Sequence, residues 1–170
     1  MIFRYFTSVP AWQLFALLLL PYLVFKLTGF GHTPVTFGML WLYFLCMLLG
    51  WLYSVAQASN SGLDESLRLN IWWMRIAVIF PLIYLVIFVF GWIEPMSKGE
   101  LTRPPGWIMP MHFASIFCFM FAIWFTARQF VTHRENRPVQ YIEYYGAFMG
   151  FWIFPIGIWF LQKQVNERFS

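Results

Sequence analysis

Long apolar stretches alternate with short polar connections along this chain, and the apolar stretches are too long to be strands. Five of them, over about 11–26, 37–55, 71–93, 112–130 and 141–161, have the length of helices that cross a bilayer or come close to it. The pattern predicts an all-α membrane bundle of five transmembrane helices, a single integral membrane domain over 1–170. The first stretch is short, with Pro10 before it, Pro21 inside it and Lys26 at its end, so a helix lying at the interface is its second reading. The apolar run after Arg4 continues through Phe25, Lys26 and Leu27 with no small-x-small cleavage site, which favours a retained helix over a signal peptide.

The connections carry the turn chemistry. Residues 27–36 hold glycines and Pro34, 56–70 is the most polar segment, and 94–111 has enough prolines to forbid a helix. Trp72, Trp73 and Trp92 set an aromatic anchor at each boundary of the third stretch.

Small residues then sort the helices. Cys46, Gly50, Ser54 and Ala58 recur every fourth residue in the second stretch, and Ala114, Cys118, Ala122 and Thr126 do so in the fourth. In the fifth, Gly146, Gly150 and Gly157 share one side of a straight helix, where the missing side chains let another backbone approach. The expected centre is therefore the second, fourth and fifth stretches, with the bulky third one facing lipid.

Composition agrees with this class. Hydrophobic residues make up 61% of the chain and charged residues 11%, against roughly a quarter charged in soluble domains. The net charge of +4 is spread thinly with no basic patch, so nucleic-acid binding is not expected. Cys46 and Cys118 lie inside apolar stretches and read as buried thiols, not as a disulfide pair.

Candidate chemistry is sparse. Ion pumping or intramembrane hydrolysis needs ionisable groups at depth, and the acidic residues Asp64, Glu65, Glu94, Glu135 and Glu143 all fall at stretch ends or in connections. His32, His112 and His133 sit in separate connections without metal-ligand spacing, so no catalytic residue, cofactor or metal is expected. Trp107, His112 and Glu143 are the candidate contacts for a ligand at an interfacial rim, with His112 able to pair with Glu94 or Glu143.

The stretch PPGWIMP is similar to the Trp/Pro motif of translocator proteins, which precedes the second of five spans there, whereas here it precedes the fourth. More broadly, WLYSVAQASNSGLDESLRLN, IFPLIYL, PMHFASIFCF and RPVQYIEYYGAFMGFWIFPIGIWFLQKQVN resemble a group of uncharacterised multi-pass inner-membrane proteins of Bacteroidota over roughly 51–165. That resemblance implies a bacterial inner membrane and carries no activity.

Five spans put Arg4, Arg68, Arg75, Arg128, Arg134 and Arg137 on one side and Lys26, Lys98, Arg103, Lys163 and Arg168 on the other. The short basic connection after the fourth span then places the amino terminus in the cytoplasm and the carboxyl terminus outside. Two functions fit. The first is a non-enzymatic structural or interaction subunit, embedded in lipid and bound to a membrane-protein partner or to itself; the alternative is a binder or carrier of a lipid-like hydrophobic small molecule. An intramembrane enzyme ranks third.

Overall fold

The computed structural model describes residues 2–28, 33–100 and 103–169, with the side chains of 2–4 and 28 left aside. His32 of the first connection lies outside these residues. The described residues are helical with no strand: α1 Ile2–Ser8, α2 Ala11–Thr28, α3 Pro34–Ser61, α4 Ile71–Phe88, α5 Glu94–Ser97, α6 Ile108–Glu135, α7 Tyr141–Trp152 and α8 Phe154–Phe169. Three helical stretches, Pro34–Ser61, Ile71–Ser97 and Ile108–Glu135, are long and apolar enough to cross a membrane. A fourth crossing exists only if the bent pair α7 and α8 counts as one.

Helix ends are set by local chemistry. Thr33 caps α3 by accepting a hydrogen bond from Thr36 N at 3.1 Å, and Pro34 follows at the first position, where its missing N–H costs nothing. The second stretch thereby gains a turn at its start and runs on to Ser61, a helix of 28 residues or about 42 Å. Asn70 Oδ1 accepts from Trp72 N at 2.9 Å and starts α4. From Val89 to Ile93 the helix widens into a π turn, then continues as α5, so the first residues of the expected 94–111 loop are helical. Asn136, in the left-handed conformation, ends α6 at φ 49°. His133 and Arg134 therefore lie on that helix and not in the connection.

Two expectations about the bundle change. The third stretch keeps an exposed apolar face through Trp72, Ile76, Ile79, Ile83 and Ile87, and it also packs along both α3 and α6 by a second face that buries Met74, Ala77, Pro81 and Tyr84. The fifth is not one straight helix. α7 stops at Trp152, and α8 leaves at 120° to it. The cause is Pro155, which cannot donate to the carbonyl of Phe151 and whose ring would clash there, so the helix ends before it. At 12 and 16 residues, α7 and α8 span about 18 and 24 Å, each short of the roughly 30 Å hydrocarbon core.

The hairpin enters and leaves at one end of the bundle. Near its apex Phe154 packs on Phe44, in the first half of α3, with ring centroids 5.1 Å apart. On the way back Phe169 reaches His133 near the end of α6, at 5.1 Å. The polar residues after Leu161 are thus the continuation of α8, which buries Leu161, Gln162 and Val165, and not a tail.

Between α3 and α6, Thr126 Oγ1 lies 3.2 Å from Leu52 O and 2.7 Å from Ala122 O. Ala122 and Thr126 are fully buried in that seam. Trp51, Phe130 and Phe151 complete the core, with Phe151 5.2 Å from Trp51 and 6.1 Å from Phe130. Ser54 Oγ donates to Gly50 O at 2.6 Å, and Gly50 faces the Phe6 ring of α1 instead of another long helix. α2 is the shorter apolar helix and rests on α3 and α8.

Candidate functional site

Near the end where α3 and α6 begin, a groove of about 480 Å³ lies between α3, α4 and α6. Close contact fixes its base. Gly38 of α3 approaches the π turn so tightly that an added Cβ would lie 2.6 Å from Val89 Cγ2. The extra residue in the π turn re-aims the side chains that follow it, which is a common use of such turns at functional positions. The walls are Phe37, Trp41, Leu45, Leu85, Phe88, Ile116 and Phe119, and the polar side chains among them are Tyr84, His112 and Ser115.

Those three form a small polar wall. The Tyr84 hydroxyl lies 3.2 Å from His112 Nδ1, with the rings 5.8 Å apart edge to face. Tyr84 is buried and its hydroxyl meets no other acceptor among the described residues, so the arrangement that uses its proton has it donating to Nδ1. The imidazole then carries its own proton on Nε2, a donor with no partner among the described residues. Ser115 Oγ is occupied, donating to Met111 O at 2.9 Å. An aromatic ladder continues from Tyr84 to Phe88 at 5.7 Å and to Trp92 at 5.0 Å.

The candidate rim residues are not brought together. His112 lines this groove and Trp107 sits at the start of the same helix, 38% exposed. Glu143 lies beyond the far end of α6, where Arg137 holds it and where it accepts from Gln140 N in a capping box. The Glu143 carboxylate, chiefly by its hydrogen bond and then by its charge, raises the Arg137 guanidinium above its usual value. Glu94 pairs with Lys98 at 2.9 Å, so neither carboxylate is the partner of His112.

The packing candidates also separate. Cys118 is half-buried against the core and Cys46 half-buried on α3, and neither thiol lines the Tyr84–His112 groove. Ala114 is half-buried on α6. Gly150 and Gly157 face each other inside the hairpin, while Gly146 meets open space. Among the described residues no three His, Cys, Asp or Glu side chains are grouped to hold a metal ion.

Three polar residues escaped the sequence reading. Tyr84 was hidden in a bulky apolar stretch with nothing to mark it. Gln129 is bonded by Asn60, itself clamped to Leu69 through two 3.0 Å bonds, and it is visible as an uncharged polar residue amid apolar ones. Gln162 is fully buried, and the spacing of Ile158, Leu161 and Val165 around it is a helical face that could have shown it. No family model, curated protein or solved structure matches the chain.

Proposed function

We propose that the protein is an integral membrane protein that binds a lipid-like amphiphile in the groove between α3, α4 and α6. One observation supports the reading: an apolar groove of about 480 Å³, a volume typical of small-molecule sites, with the Tyr84–His112 pair on its wall. The apolar walls take the greasy part of the molecule. The His112 Nε2 proton orients an acceptor in its polar part, a carbonyl, hydroxyl or carboxylate oxygen. A structural subunit is the weaker reading, because its support is exposed apolar faces, and a bilayer covers those equally well.

The test is what the protein carries and keeps. Purified in mild detergent, the wild type should retain a hydrophobic ligand detectable by mass spectrometry. His112→Ala should retain about tenfold less, the loss of one hydrogen bond of about 1.4 kcal/mol, with unchanged helicity. Leu85→Trp, which fills the groove, should abolish retention. Equal retention by all three proteins would remove the proposal.

The sequence resemblance supports an inner membrane, and a re-entrant α7–α8 hairpin alters the charge argument for orientation. With the hairpin returning, and apart from Arg4, whose side chain lies outside the described residues, Lys163 and Arg168 join Arg68, Arg75, Arg128, Arg134 and Arg137 at one end, against Lys26, Lys98 and Arg103. The first set belongs in the cytoplasm by the positive-inside rule, and the carboxyl terminus with it. This replaces five straight spans by three crossings, a hairpin and the shorter α2. In a cysteine-free background, cysteines at Ser61 and Glu167 should be labelled from the cytoplasmic side and one at Ser97 from the other. Labelling of Glu167→Cys together with Ser97→Cys would restore a straight fifth span.

A further inference from the structure

The α7–α8 hairpin and α6 enclose a second groove of about 470 Å³, at the opposite end of the bundle from the Tyr84–His112 pair. Its floor is glycine. At Gly146 no atom lies within 4 Å of where a Cβ would be, so this part of the stripe meets open space and not another helix. Ile153, Ile156 and Phe160 make the walls apolar, and the mouth carries Arg134, Glu143 and Gln164.

The charges at the mouth are unequal in what they leave free. Glu143 is taken by Arg137 and by the Gln140 amide. Arg134 uses only Nε, on Glu135 at 2.8 Å, and its two terminal nitrogens have no acceptor among the described residues. A planar pair of donors at the mouth of an apolar trough matches a phosphate group carrying a hydrocarbon chain, because guanidinium binds phosphate oxygens two at a time.

We infer that the hairpin holds one glycerophospholipid, with its phosphate on Arg134 and one acyl chain lying along the open floor at Gly146. A docking transmembrane helix would cover the same apolar floor but bring no anion to the guanidinium. A soluble phosphate compound would leave the floor uncovered. The site is separate from the amphiphile groove and stands or falls without it.

The experiment titrates dioleoylphosphatidylglycerol into the delipidated full-length protein in maltoside micelles and counts bound lipid by native mass spectrometry. The wild type should hold one lipid at this site, counted as the difference from the double variant Arg134→Gln/Gly146→Phe, so that a lipid in the other groove does not enter the count. Arg134→Gln and Gly146→Phe should each bind it about tenfold more weakly, the loss of a charge-assisted pair or of the trough, while Lys26→Gln, exposed at the other end of the bundle, binds it normally. Dioleoylglycerol, which lacks the phosphate, should bind the wild type about tenfold more weakly than the phospholipid. Gly146→Phe adds its ring to open space, so unchanged helicity and melting are expected and confirm that the trough alone was filled. Equal binding of the two lipids by the wild type, or wild-type phospholipid binding by both variants, overturns the inference and leaves only general annular lipid.

Discussion

Gly157→Ala should prevent the protein from folding, or leave it with a melting temperature so low that it does not survive purification. A Cβ at Gly157 would lie 1.6 Å from Gly150 O and 2.4 Å from its carbonyl carbon, both backbone atoms that no rotamer can move. Normal carbon–oxygen contact would require α7 and α8 to separate by roughly 1.5–2 Å where they cross. The core residues on either side of that crossing, Phe151 and Ile158, are fully buried, so separation opens the core as well. The expected cost is above about 3 kcal/mol, the upper part of the overpacking range. Gly146→Ala should instead be neutral or stabilising by up to about 1 kcal/mol, since the new methyl meets nothing and alanine favours the helix. Thermal unfolding of the two variants in one detergent decides the matter. Similar melting of both would mean that the hairpin does not close at this crossing.

Gln162→Leu should destabilise the protein by about 3–5 kcal/mol, because one side chain satisfies several buried groups and each orphan costs about 1–3 kcal/mol. Gln162 Oε1 accepts from Trp51 Nε1 at 2.8 Å, and the indole, a donor only, fixes which way the amide faces. Gln162 Nε2 then donates to Phe6 O and Val9 O, each at 2.8 Å, with Asn166 Oδ1 also at 2.8 Å. Asn166 Nδ2 adds a bond to Val9 O at 3.1 Å. These carbonyls lie at the carboxyl end of α1, where a helix leaves its last acceptors unfilled, so α8 caps α1 from across the bundle. Loss of the amide should release α1 before the rest unfolds. Proteolysis near residue 9 should become faster in Gln162→Leu, while Lys163→Leu, on the exposed face of the same helix, should change stability by less than about 0.5 kcal/mol. Equal effects at the two positions would show that the buried network contributes nothing.

The glycines and Gln162 show how far a linear reading reaches. Spacing identifies a glycine face but not its occupant, and the three glycines turned out to serve different ends: Gly157 a backbone crossing, Gly150 contact with Leu161, and Gly146 an open floor. A straight helix from Tyr141 to Leu161 leaves Pro155 out of account, and that proline, inside the apolar run, ends the helix before it. The polar residues after Leu161 look like an exit into water because polarity is read locally. Their burial depends on α1, which is more than 150 positions away in the chain, as the bond from Gln162 to Phe6 O shows.

The sequence by itself determined the helical class, the apolar segments and the helix starts at Ala11, Ile71 and Tyr141, because hydrophobic runs, caps and prolines act over a few residues and are written beside the element they control. Only the tertiary structure decided that one face of α4 is buried against both α3 and α6, that the last apolar segment doubles back, and that His112 meets Tyr84 while Glu143 lies at the other end. Those outcomes depend on which side chains meet across helices, and a hydrogen bond between residues 28 or 156 positions apart leaves no periodic trace in the chain.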